Sequence, residues 1–202
     1  MGNIYDLLMR GEGGCAAQLL SETPSSDEEE LNDNALGRKS PGDIVCLASK
    51  EFIVLGREEA GVALIAKDIV EYMEFGRNAD YLNSAVRQYC NETFYRMLVD
   101  AIGADNILAH TIDLIADDGT GGGFCDDFVS ILTTERYRRY RKYLPAMGNW
   151  WWTATRVNAD NDDYARYVCC VNSRGVLFWY YSGSGDGGVR PFCILNPALS
   201  LD

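Results

Sequence analysis

Histidine, basic charge and long apolar runs are scarce in this sequence. The 202 residues include one histidine, His110, and 18 Lys and Arg against 30 Asp and Glu, which gives a formal net charge of −12. A single histidine excludes a metal site built from several histidines of one chain, and any Cys–His dyad must use His110. The negative charge disfavours direct binding to nucleic-acid phosphates or to anionic lipid. We therefore expect partners that are neutral or basic protein surfaces, and no cofactor.

The chain also lacks the segments that direct a protein into or across a membrane. No apolar run approaches the roughly 18 residues that span a bilayer, and Met1–Arg10 has neither the basic start nor the apolar stretch of a signal peptide. We expect that the protein is synthesised in the cytosol and does not insert into a membrane. A virion protein would share both features. The cysteines are odd in number and form no C-x-x-C pair, which favours free thiols in a reducing compartment. They are residues 15, 46, 90, 125, 169, 170 and 193.

The first forty residues differ in composition from the rest of the chain. Residues 1–40 carry eight acidic and three basic side chains and include the run Ser25-Ser-Asp-Glu-Glu-Glu30. Such a composition cannot bury enough apolar surface to offset the entropy lost on ordering. The sequence predicts a flexible acidic arm over residues 1–40 and one domain over residues 41–202.

Hydrophobic patterning in the second part predicts an α+β domain with short antiparallel sheets and two main helices. Apolar spacing from Val86 to Leu98 indicates an amphipathic helix, capped by Asn83 or Ser84 and ended near Gly103. A second helix is expected from Thr133 or Thr134 to Leu144, before Pro145. Strands separated by polar turns are expected elsewhere, the first three as an antiparallel meander. They are Ile44–Leu47, Glu51–Leu55, Gly61–Ala66, Thr111–Ile115, Val129–Leu132, Trp150–Thr155, Tyr164–Val171, Gly175–Tyr181 and Val189–Leu195.

Several short motifs occur in a fixed order, and together they resemble a family of uncharacterised domains frequent in gut bacteria and their phages. Those domains are similar to the C-type-lectin-like fold, which formylglycine-generating enzymes and the variable proteins of diversity-generating retroelements share. The resemblance covers roughly residues 43–196 and implies a C-type-lectin-like domain after the acidic arm. The motifs are Phe52-Ile-Val-Leu55, Asn83-Ser84 with Arg87, Ser130-Ile-Leu-Thr133, Trp150-Trp-Trp152, Val171-Asn-Ser-Arg-Gly175 and Gly188-Val-Arg-Pro-Phe192.

Four residues of these motifs are assigned structural roles. Because side chains alternate along a strand, Trp150 and Trp152 should share one face and at least one face should be core. Pro191 cannot donate a bond to a sheet, which indicates an edge or a strand start. Arg190, held extended before the proline, is expected to tie loops together through carbonyls or a carboxylate.

Residues 156–166 and 179–188 consist largely of Asn, Asp, Ser, Gly and Tyr. That composition is typical of recognition loops, in which Tyr supplies contact area and the small polar residues supply hydrogen bonds. Ordinary hairpin turns are the alternative. On the first interpretation the ligand contacts are Asn158, Asp160, Tyr164, Arg166, Trp179, Tyr180 and Tyr181.

Other patterns give weaker predictions. Asn158-x-Asp160-x-Asp162 imitates the start of a calcium loop, and Asp117-Asp118 lies in a glycine-rich loop, but solvated acids explain both, so we expect no metal site. The neighbouring Cys169 and Cys170 should point to opposite faces of a strand, which argues against shared catalytic chemistry. The basic residues of 136–142 are expected to pair with the chain's own acids rather than with nucleic acid.

The sequence therefore favours a non-enzymatic module that binds a protein or cell-surface ligand. The resemblance implies a phage-encoded protein, either virion-associated or used in surface recognition, and allows a homo-oligomer. The alternative is an intracellular acidic phage inhibitor of a host defence protein.

Overall fold

The computed structural model describes residues 34–58 and 61–201, which form a mixed α+β domain of helices and largely antiparallel sheets. The strands within these ranges are β1 Ile44–Leu47, β2 Lys50–Glu58, β3 Gly61–Ala66, β4 Glu71–Tyr72, β5 Ile107–Leu108, β6 His110–Asp113, β7 Phe124–Asp127, β8 Val129–Ser130, β9 Trp151–Arg156, β10 Tyr167–Val171, β11 Leu177–Tyr181, β12 Gly188–Val189 and β13 Phe192–Leu195.

The first predicted helix is confirmed over residues 85–102. It begins as α1, Ala85–Gln88, continues through the π-helical segment Tyr89–Phe94 and ends as α2, Tyr95–Ile102. The Ser84 hydroxyl accepts the Arg87 N–H at 3.0 Å, so Ser84 rather than Asn83 is the cap. Gly103, with φ 80°, ends the helix in a backbone region that glycine adopts without strain.

The second predicted helix is confirmed as α3, Thr134–Tyr140, followed by the 3₁₀ turn Arg141–Tyr143. The Thr133 hydroxyl accepts the Arg136 N–H at 3.2 Å, so Thr133 is the N-cap. Further 3₁₀ turns within the described residues lie at Leu36–Arg38, Tyr81–Asn83, Ala104–Asn106 and Asp162–Tyr164.

The larger sheet contains the predicted meander. Strands β1, β2 and β3 are antiparallel neighbours, and the C-terminal β13 pairs with β3 on one side and with β5 and β8 on the other. Alternate β2 residues lie in two buried clusters, Phe52 in one and Ile53 in the other, so both faces of this sheet are covered. The residues 85–102 pack in the first cluster and α3 in the second.

The smaller sheet has the order β11-β10-β9-β12-β4, in which only β12 and β9 run parallel. The prediction of one strand over Val189–Leu195 is wrong, because β12 belongs to this sheet and β13 to the larger one. Arg190 and Pro191 form the crossing between them. Pro191 has no N–H to extend a ladder, but its carbonyl accepts the Ala66 N–H at 2.8 Å.

The domain begins before the predicted boundary at residue 41. Ala35 and Leu36 are fully buried, the Leu36 N–H donates to the Leu199 carbonyl at 2.8 Å, and Ala35 forms a bridge with Ser200. The boundary was misplaced because the apolar pair is short and stands between polar residues. The rest of the predicted arm, residues 1–33, lies outside the described residues.

Two general expectations can be compared with the described part of the chain. None of its helices has the length and apolar character needed to cross a membrane. All six cysteines within it are free, which confirms the prediction of unpaired thiols for those residues.

Candidate functional site

The three tryptophans at the start of β9 place their rings on both faces of the smaller sheet. The rings of Trp150 and Trp152 lie 4.7 Å apart on one face, as the alternation predicts. Tyr180 is on that face too, with its ring centroid 4.9 Å from Trp150. Trp151 faces the other way and packs edge-on against Tyr137 of α3 at 5.5 Å.

A partly exposed aromatic surface occupies the face that Trp151 shares, towards the sheet edge. Tyr167 of β10 lies directly opposite Tyr181 of β11, and its ring contacts Trp179 at 5.0 Å and Tyr164 at 6.1 Å. Trp179 is 54% exposed, Tyr181 44% and Tyr164 40%. We call Tyr164, Tyr167, Trp179 and Tyr181 the aromatic platform.

The two predicted loops lie at the same end of the smaller sheet. Because β9, β10 and β11 are antiparallel neighbours, the segment after β9 and the segment after β11 reach the same end. The Ser182 N–H donates to the Arg166 carbonyl at 2.8 Å, and Arg166 Nη1 donates to the Tyr181 hydroxyl at 3.0 Å. Arg166 thereby joins the first loop to the platform.

The side chain of Asn158 forms hydrogen bonds within its own loop and to a neighbouring loop, whereas the sequence predicts that it contacts a ligand. Its side-chain oxygen accepts the N–H groups of Asp160 and Asn161 at 2.8 and 2.7 Å, and its amide donates to Asp118. The Ala159 N–H adds a bond to the Thr120 hydroxyl at 2.8 Å. An Asn side chain that closes its own turn and fixes a neighbouring loop has little capacity left for a ligand.

The acidic candidates for a metal site are dispersed or already paired. Asp117 accepts from Arg138 at 2.8 Å and from the Thr134 hydroxyl at 3.0 Å. Hydrogen bonds from Thr120 hold the pKa of Asp118 below its usual value. Asp160 and Asp162 are exposed, and no group of three His, Cys, Asp or Glu side chains in the described ranges could hold a metal ion.

The candidates for nucleophilic catalysis are buried: the two thiols are protonated and the histidine is neutral. Burial raises the pKa of Cys169 to about 12 and also raises the pKa of Cys170, so neither thiol ionises near neutral pH. The ring of His110 lies 1% exposed with Nε2 2.8 Å from the Ser130 hydroxyl. Burial lowers its pKa to about 3, with a further contribution from Arg136. These groups are parts of the core.

Arg190 donates to carbonyls, one of the two kinds of partner that the sequence predicts. Its Nε donates to the Ala66 carbonyl at 3.1 Å and its Nη2 to the Lys67 carbonyl at 3.0 Å, while the guanidinium lies 5.0 Å from the Trp151 ring. Full burial lowers the pKa of Arg190 to about 10, so it stays charged at neutral pH. The residue links the end of β3 to the smaller sheet.

Of the basic residues in 136–142, the three in α3 pair with acids of the chain, as expected: Arg136, Arg138 and Arg139. Arg136 and Arg139 contact the buried carboxylate of Glu58 at 2.9 and 3.2 Å, and Arg139 also pairs with Glu135 at 2.8 Å. Their charges are therefore compensated within the domain.

Of the predicted contacts, the structure brings Tyr164, Arg166, Trp179 and Tyr181 together and places Tyr180 on the opposite face. Tyr167 was missed. Its position opposite Tyr181 in a regular hairpin was the signal that could have identified it, because directly opposed side chains share a face.

Comparison of the chain with protein-family models, with curated proteins and with solved structures gave no match.

Proposed function

We propose that this domain is a non-enzymatic recognition module that binds another protein through the aromatic platform. The observation that carries the proposal is the exposure of Tyr164, Trp179 and Tyr181 as one contiguous group beside Arg166. Aromatic residues and Arg are enriched at protein interfaces because they combine a large apolar area with a polar end. The acids Asp160, Asp162 and Asp163, in the loop that contains Tyr164, and Asp186, in the loop after β11, are exposed as well.

The proposed fold is a variant of the C-type-lectin-like domain. Its support is the ordered motif set, together with a C-terminal strand that returns to pair with the N-terminal meander. Two helical segments also occur along the chain, one between β4 and β5 and one between β8 and β9. In this proposal the platform lies where the two long loops of the terminal sheet meet. A place on a phage particle or another surface follows from the resemblance in sequence.

Site-specific photo-crosslinking tests the proposed function. A photoreactive phenylalanine at Tyr164 should give a discrete adduct with a second protein in a lysate of the natural host. The same residue at Tyr72, which is 48% exposed on the opposite edge strand β4, is the control and should give none.

A second substitution makes the test quantitative. Trp179→Ala should reduce binding of the captured partner by roughly 30-fold, because interface aromatics often contribute on the order of 2 kcal/mol. Tyr72→Ala should leave it unchanged. Equal labelling from both positions, or an affinity that Trp179→Ala does not alter, would contradict the proposal.

A further inference from the structure

The strand β11 is an edge strand without the features that usually prevent edge pairing. Among residues 34–58 and 61–201 it is the last strand of its sheet, its five residues are Leu-Phe-Trp-Tyr-Tyr, and it carries no charge, proline or bulge. The opposite edge, β4, has two residues, one of which is Glu71. Natural proteins protect long edges with charges, prolines or bulges, and an unprotected apolar edge is a pairing surface.

The backbone groups that β11 presents can be assigned from its ladder with β10. The Asn172 N–H donates to the Val176 carbonyl at 2.9 Å, and the Ser182 N–H donates to the Arg166 carbonyl at 2.8 Å. Because bonded pairs alternate in an antiparallel ladder of regular register, Phe178 and Tyr180 bond to β10. The N–H groups of Leu177, Trp179 and Tyr181 and the carbonyls of Leu177 and Trp179 therefore point away from the sheet.

We propose that two copies of this chain pair through β11, antiparallel about a two-fold axis at Trp179. In this register Trp179 bonds to its counterpart through both N–H groups, and each Tyr181 N–H bonds to the Leu177 carbonyl of the other copy. The Tyr181 carbonyl, which already accepts the Ser184 N–H at 3.0 Å, is shared with the Leu177 N–H. The two five-stranded sheets become one.

The side chains fit this register on both faces. On the platform face Trp179 meets Trp179 of the other copy and Leu177 meets Tyr181. On the opposite face Phe178 meets Tyr180. Every cross-strand pair is apolar or aromatic, and such pairs stabilise antiparallel sheets.

The charges beyond the two ends of β11 are also complementary under the two-fold axis. The turn before β11 is basic, with exposed Arg174 and with Arg141 beside Gly175. The loop after β11 carries the exposed Asp186, and the loop with the exposed acids of residues 160–163 lies at the same end of the sheet. Antiparallel pairing places the basic turn of each copy beside the acidic loop of the other. If both ends of the strand carried the same charge, the same pairing would bring like charges together.

The exposed area sets the expected affinity. Each of Trp179, Tyr180 and Tyr181 leaves on the order of 100 Å² to bury, or about 600 Å² for the two copies, so with the flanking turns the interface belongs to the size class of weak, transient complexes. We expect a dimer with a dissociation constant in the micromolar range. The dimer and the proposed function share Trp179 and Tyr181, but they can be tested separately because the exposed ring of Tyr164 lies outside the edge strand.

Oxidative cross-linking tests the register. In a Cys15→Ser, Cys46→Ser background, Trp179→Cys should give a disulfide-linked dimer, since bonded pairs place Cα atoms about 5.5 Å apart, within disulfide range. Val176→Cys is the matched control. It is exposed next to the same strand but would lie about 20 Å from its counterpart, so it should stay unlinked.

Sedimentation velocity on the full chain tests the backbone pairing. Trp179→Ala removes the ring but keeps the outward N–H, so it should weaken the dimer. Trp179→Pro also removes that N–H without breaking a bond to β10, so it should give a monomer with nearly the same thermal midpoint as Trp179→Ala.

Charge reversal tests the two-fold arrangement. Arg174→Glu and Asp186→Lys should each weaken the dimer by roughly two- to five-fold, and the double variant should restore it. A chain that is monomeric at all concentrations, or equal cross-linking at residues 176 and 179, would overturn the inference. A Tyr164 adduct with another protein would still be expected, because it reports only the proposed function.

Discussion

His110 lies against the edge of the Phe192 ring at 5.0 Å and beside Ser130, so its environment favours the neutral imidazole. The pKa falls from 6.5 to about 3 because burial penalises the charged form. The unfolded chain therefore binds a proton below pH 6.5 that the folded chain does not. This group contributes stability that is full above pH 6.5 and is lost as the pH falls towards 3.

We expect the free energy of unfolding to decrease by about 2 kcal/mol between pH 7 and pH 5, measured by urea denaturation. His110 is the only histidine, so few other side chains titrate in this window. The variant His110→Gln should show a much flatter profile between the same pH values. An unchanged slope in the variant would assign the effect to the carboxylates instead.

At the scale of elements, the cap of the first helix shows how local chemistry fixes a boundary. The Ser84 hydroxyl accepts the Arg87 N–H and donates to the Tyr81 carbonyl at 2.8 Å, and the residue is buried. Asn83 is exposed, and its amide donates to Asp80 at 2.6 Å. Asn and Ser are equally good N-caps by residue type. Ser84 is the cap because it is the buried one of the two and bonds to both the Arg87 N–H and the Tyr81 carbonyl.

Ser84→Ala should lower the free energy of unfolding by about 1–2 kcal/mol, because it removes a cap and leaves a buried carbonyl without this donor. Asn83→Ala should change it by less than about 0.5 kcal/mol, as exposed substitutions usually do. Chemical denaturation of both variants measures the difference. Equal losses would show that the two side chains share the cap in solution.

For the whole molecule, the two ends of the described chain stabilise each other. Leu36 is fully buried, and the N–H groups of Leu36 and Gly37 donate to the carbonyls of Leu199 and Pro197, both at 2.8 Å. The exposed Arg57 donates to the Gly37 carbonyl at 2.9 Å and holds the same segment to β2. A short segment far from the helices in sequence thereby closes one side of the domain.

A chain that begins at Pro41 should be less stable than one that begins at Asn34 by at least about 2 kcal/mol, the value of burying one leucine. Thermal and urea unfolding of the two truncated chains measure this difference. The variant Leu36→Ala in the longer chain should reproduce most of the loss. If the two truncated chains unfold at the same temperature and the same urea concentration, the contacts of Leu36 contribute little to stability.

The sequence by itself determined the elements whose signals are local: the meander, both helices with two candidate N-caps each, and the opposite orientations of Trp151 and its neighbours. These follow from periodicity and capping within a few residues. The tertiary structure alone decided the division of residues 188–195 between two sheets, the role of Asn158 and the burial of Leu36. It also made β11 an edge and placed Tyr167 beside Trp179. These features depend on contacts between residues far apart in the chain, and no local pattern specifies which strand ends a sheet or which loop meets another.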